Sequence, residues 1–173
     1  MRSGGARRLA DRLVGLAIPP VVLDGYRGSP LDLGEFAEAF PLVVYLYPGG
    51  FWSPEDGEDA ALLDAVQHRA FRDHQRDLEA RKYRAIGISS QSGRAQRETA
   101  LANGVAHWLL RDPEFHLARE LRLPTFTTAD GCWYRRLMFV TRGARIEKAF
   151  FPVSDAGRSM AHVIAWMAMQ GVG

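Results

Sequence analysis

The clearest pattern in the chain is an apolar run with no polar face, "PLVVYLYPG" at 41–49, which reads as a central strand covered by helices on both sides. A second such run, "YRAIGISS" at 83–90, and a third, "AHWLLRDP" at 106–113, give two further buried strands. Between and around them the period changes to that of helices. Leu62, Leu63, Val66, Ala70, Phe71 and Leu78 make a helical stripe over 58–78. "GRAQRETALANG" at 93–104 is a helix stopped by Asn103-Gly104, and "EFHLARELRL" at 114–123 is another. Upstream, 1–17 forms an arm or short helix, and a Gly/Pro turn precedes a capped helix at 31–40. Downstream, 132–153 alternates around Arg142-Gly143 as a hairpin, and 155–170 closes the chain as an amphipathic helix.

Strands alternating with helices, followed by a hairpin and a last helix, describe a three-layer α/β sandwich. With 173 residues and no linker or repeat, the chain fits one domain over 18–173 behind an arm at 1–17. Its 22 basic and 20 acidic residues leave a net charge of +2, too balanced for a nucleic-acid surface. No window reaches the apolar length of a membrane span, and Asp11 and Arg12 interrupt the opening apolar patch, which argues against a signal peptide. The single cysteine, Cys132, forms no internal disulfide and fits a reducing cytoplasm. No histidine pair has metal-ligand spacing and no phosphate or dinucleotide motif is present, so no metal or cofactor is expected.

Several words stand in a telling order: "LVVYLYPG", "AFRDHQRDL" at 70–78, "YRAIGISSQS" at 83–92, "LLRDPEFHLARELRLPTF" at 109–126 and "YRRLMFVTRGARIEKAFFPV" at 134–153. Over roughly residues 18–168 the chain resembles the AhpC/TSA peroxiredoxins, nearest the bacterioferritin-comigratory (Q-type) branch. The resemblance implies a thioredoxin-like fold of peroxiredoxin type, with a central mixed β-sheet flanked by helices. It also implies a homodimer. The family's peroxidatic cysteine position falls on Asp64 and its resolving position on Arg69, and residues 1–131 contain no cysteine. A carboxylate neither attacks an O–O bond as a thiolate does nor forms a recyclable sulfenic acid, so conventional peroxide reduction is excluded chemically.

What the resemblance leaves in place is Arg136, at the family's arginine position, a candidate catalytic holder of an oxyanion or carboxylate whose expected partner is Asp64, Glu58 or an anionic ligand; a structural Arg–Asp pair between helix and sheet is the equal alternative. Asp64 and His68 stand four residues apart on one helical face and suit acid/base work; a solvated helix face is the plainer alternative. Tyr47, Pro48, Phe51 and Trp52 are candidate walls for a flat hydrophobic ligand, although Tyr47 also suits the core and the two loop aromatics also suit a dimer contact. Cys132 lies away from any helix N-terminus that would activate it. The resulting expectation is a non-redox enzyme of bacterial secondary metabolism acting on a hydrophobic small molecule. The alternatives are a non-catalytic binding protein and a peroxidase that uses Cys132.

Overall fold

The computed structural model describes residues 3–54, 56–57 and 59–171. Helix α1 (Ser3–Leu13) leads to strands β1 (Val22–Gly25) and β2 (Pro30–Asp32), then α2 (Leu33–Ala39), β3 (Leu42–Leu46), α3 (Ala60–Asp73) and α4 (Gln75–Ala80). There follow β4 (Arg84–Ser89), α5 (Gly93–Asn103), β5 (Trp108–Arg111), α6 (His116–Leu121), β6 (Thr125–Thr128), β7 (Gly131–Tyr134), β8 (Leu137–Arg142), β9 (Arg145–Phe150) and α7 (Ser159–Met169). Seven strands form one mixed sheet in the order β2-β1-β5-β4-β3-β8-β9, and β6 pairs with β7 in a separate ribbon. Strands β3, β4 and β5 run parallel at its centre, and every other pairing is antiparallel.

Strand β3 is buried along its whole length, as its lack of a polar face requires. The pleat sends alternate residues to opposite layers. Leu42, Val44 and Leu46 join one core with residues of α1, α2 and α6, while Val43, Tyr45 and Tyr47 join a second with residues of α3, α4, α5 and α7. Both tyrosines therefore lie on the layer of α3, which positions the site.

Local chemistry sets the helix ends. The Asp32 side chain accepts the Glu35 N–H at the start of α2, Ser92 does the same for Ala95 in α5, and Gly104 ends α5 in the left-handed conformation.

Three sequence expectations need correction. The helix read over 58–78 begins at Ala60 and is interrupted at His74, whose Nδ1 lies 2.9 Å from the Ala70 carbonyl. Its inward stripe is Ala60, Asp64, Gln67, His68, Ala70 and Phe71, and Leu62 faces solvent. The apolar pattern misses this because the core opposite α3 offers polar groups to be met, and buried polar groups need partners. The hairpin read over 132–153 is two units. Residues Cys132 to Tyr134 pair with β6, and the true hairpin joins β8 to β9.

Candidate functional site

The site is assembled where α3 crosses the end of β3. Arg136 lies between β7 and β8 and is almost completely buried, so all its donors need acceptors. Its Nε donates to Asp56 Oδ2 at 3.0 Å, Nη1 to Gln67 Oε1 at 2.8 Å and Nη2 to Asp64 Oδ1 at 2.7 Å. Nη2 also stands 2.8 Å from Asp56 Oδ2 and 3.4 Å from the Ala60 carbonyl. The second Asp64 oxygen accepts the Gly50 N–H at 2.6 Å. Spacing of three and four residues puts Ala60, Asp64 and Gln67 on one face of α3, so that single face supplies three of the acceptors.

Burial raises the Asp64 pKa to about 6, against the opposing pull of Arg136 and the Gly50 N–H; the charge on Asp56 adds a smaller upward push. At neutral pH Asp64 is therefore mostly ionised and paired with Arg136. Asp56, which the sequence reading did not single out, completes a carboxylate–guanidinium–carboxylate clasp. Glu58, the other expected partner of Arg136, lies outside the described residues.

His68 takes a different partner. Its Nδ1 is 2.7 Å from the Tyr45 hydroxyl, which is also 2.8 Å from His107 Nε2. A hydroxyl with one proton donates to one imidazole and accepts from the other, so one of the two facing nitrogens carries hydrogen and the other does not. Both rings are neutral at ordinary pH. Burial lowers the His68 pKa to about 3, with His107 and Arg136 adding to the effect, and lowers His107 to about 4. Among the described residues no hydrogen bond joins His68 to Asp64, although both face inward from α3. The expected acid/base pair thus divides into two separate networks, one on Arg136 and one on Tyr45.

The proposed ligand walls also diverge. Tyr47 and Pro48 are buried, and the Tyr47 hydroxyl has no hydrogen-bond partner among the described residues. Burial raises the Tyr47 phenol pKa, with the Ser89 and Gln96 side chains opposing. Phe51 stacks on Trp133 with ring centroids 3.6 Å apart and an interplanar angle of 12°, which ties the loop after β3 to the β6–β7 ribbon. Trp52 is about half exposed. Cys132 is half-buried on β7, opposite Thr127.

A cavity of about 760 Å³ lies beside this assembly. Leu63, Phe151, Val153 and Ala156 line it with Asp56, whereas Asp64, His68, Arg136 and Tyr47 are not among its walls. Asp56 is the one member of the clasp that faces this volume. Among the described residues, no group of three or more His, Cys, Asp and Glu side chains is placed to hold a metal ion, and no helix is long and apolar enough to cross a membrane.

Comparison with known proteins agrees with the architecture. No family model matches the chain, and no curated protein matches it. Among solved structures, peroxidoxin BcpB of Mycobacterium tuberculosis superposes with a TM-score of 0.75 at 17% identity, covering 90% of this chain and 96% of its own. The bacterioferritin comigratory protein of Xanthomonas campestris gives 0.72 at 18% identity, with 90% and 98% covered. A cysteine-to-serine mutant of PrxQ from Xylella fastidiosa gives 0.74 at 16% identity, with 91% and 96% covered. The fold is therefore the thioredoxin-like architecture of peroxiredoxins of this type, carried by a chain with a single cysteine.

Proposed function

We propose that this protein uses a peroxiredoxin fold without thiol chemistry, to bind a hydrophobic small molecule in the cavity beside Asp56. The observation that carries the reading is the division of the site. Where the resemblance puts the thiol, Asp64 and Arg136 are locked together and buried, while a volume with apolar walls at Leu63, Phe151 and Val153 stands open next to them. Its size suits a drug-sized ligand, within the roughly 300–1,000 Å³ usual for such sites. n-Butylbenzene is a suitable neutral probe, followed by NMR at the Leu63 and Val153 methyl groups. Saturable shifts that disappear in Leu63→Trp are expected; shifts absent from the wild type, or unchanged by the bulky side chain, contradict the reading.

A second reading, catalysis on that ligand, is favoured by one observation: the Asp64 pKa near 6 suits a general acid or base at physiological pH. In that reading the clasp opens toward the cavity when ligand binds, Asp64 then serves as the acid or base and Arg136 holds developing negative charge, while His68 supports α3 from behind. The chemistry is then a cyclisation, rearrangement, elimination or hydrolysis, in keeping with bacterial secondary metabolism. Turnover abolished by Asp64→Asn with binding intact supports catalysis; binding without turnover supports the first reading alone. We extend either reading to a cytoplasmic homodimer. The single cysteine supports the compartment, and the exposed apolar side chains of Trp52 and Leu62 support the association.

A further inference from the structure

Two carboxylates, Asp56 and Asp155, line the cavity. The Asp56 side chain is only 5% exposed, and its Oδ2 is taken by Arg136. Its Oδ1 accepts no hydrogen bond among the described residues and is not one of the fully buried atoms, so it remains open on the cavity side. Across the same volume, Asp155 accepts the Arg158 N–H with Oδ1 at 3.1 Å, and its Oδ2 likewise has no partner among the described residues. The buried cation beside Asp56 is committed. Arg136 has all three guanidinium nitrogens engaged, and Arg135, which also lines the cavity, has an interaction of its own. Leu63, Phe151, Pro152 and Val153 offer apolar surface, and Ser154 adds a polar residue to the wall.

We infer that the ligand is a hydrophobic amine, its ammonium group placed at Asp56 Oδ1 with Asp155 adding to the negative field, and its apolar body against Leu63, Phe151 and Val153. This rests on the cavity being the ligand site. An ammonium donor satisfies the unpaired oxygen and gains a charge-assisted hydrogen bond in a partly desolvated place. An anionic ligand meets two carboxylates, and it must draw Arg136 from its existing partners. A neutral alcohol can donate to Asp56 but gains no charge pairing.

Three probes of equal length separate these cases: 4-phenylbutylamine, 4-phenylbutanol and 4-phenylbutanoate, titrated calorimetrically at neutral pH into the wild type and into Val153→Trp. The amine is expected to bind wild type roughly tenfold or more tighter than the carboxylate, with the alcohol between them, and to lose most of its affinity in Val153→Trp. Asp56→Asn retains a carbonyl acceptor for Arg136 and should cut the amine's advantage over the alcohol. Asp155→Asn, an exposed substitution that does not threaten the fold, should reduce it less. A carboxylate that binds as tightly as the amine overturns the amine assignment while leaving the cavity reading intact. If none of the three binds wild type better than Val153→Trp, the cavity reading itself falls.

Discussion

Arg136 and Asp64 meet at 2.7 Å, with less than a tenth of either side chain exposed. The pair ties α3 to the chain entering β8, and through Gly50 it holds the loop that follows β3. Because Gln67 and Asp56 bind the same guanidinium, its removal strands several acceptors at once. Arg136→Ala should destabilise the protein by about 3–5 kcal/mol, the range for breaking a buried ion pair by deleting one partner. Asp64→Asn, which keeps an acceptor for Arg136 and leaves Asp56 in place, should cost less. Urea denaturation of the three proteins checks the order.

The pH dependence of stability has two opposing parts. Asp64 has a folded pKa raised above its unfolded value, so the native state binds more protons and this group weakens stability as pH rises from about 4 to about 6. His68 and His107 have folded values lowered to about 3 and about 4, so the stability they contribute is present above their unfolded pKa of about 6.5 and is lost as pH falls through the window below it. Between pH 6 and 4, Asp64 therefore offsets part of the histidine loss. Asp64→Asn should lose stability more steeply than wild type on acidification, as measured by denaturation midpoints across that range. An equal or shallower slope contradicts the assignment.

Tyr45 has its own test. Removing the hydroxyl in Tyr45→Phe leaves His68 Nδ1 and His107 Nε2 buried without their shared partner. Each orphaned group costs about 1–3 kcal/mol, so a loss of a few kcal/mol is expected without change of fold. Nitrogen-15 chemical shifts of the two rings, which differ between donor and acceptor nitrogens, should show complementary tautomers in the wild type and lose that complementarity in the variant.

Much of this architecture is legible in the sequence because it rests on apolar periodicity. The unbroken run at 41–49, the Asn103-Gly104 stop and the closing helix all describe themselves locally. The site is legible only in part. Asp64 and Arg136 are findable from a family resemblance, and they do meet. Asp56 is not, because the loop ahead of α3 has no period and nothing local marks which of its acidic residues turns inward. The division of His68 from Asp64 is equally hidden. It depends on Tyr45 and Tyr47 facing the layer of α3, and on an acceptor-hungry arginine arriving from a distant segment. The misassigned stripe on α3 has the same origin, since Gln67 and His68 are buried by what lies opposite them.

The central claim is that thiol chemistry has left this fold, and peroxide consumption tests it most directly. Hydrogen peroxide and an organic hydroperoxide are each followed with thioredoxin or dithiothreitol as reductant, comparing wild type with Cys132→Ser. Cys132 stands within strand β7, paired with β6, and not in the first turn of a helix that would activate it, so the two proteins should be indistinguishable from each other and from a control without protein. Robust consumption by wild type that disappears in Cys132→Ser would contradict the account.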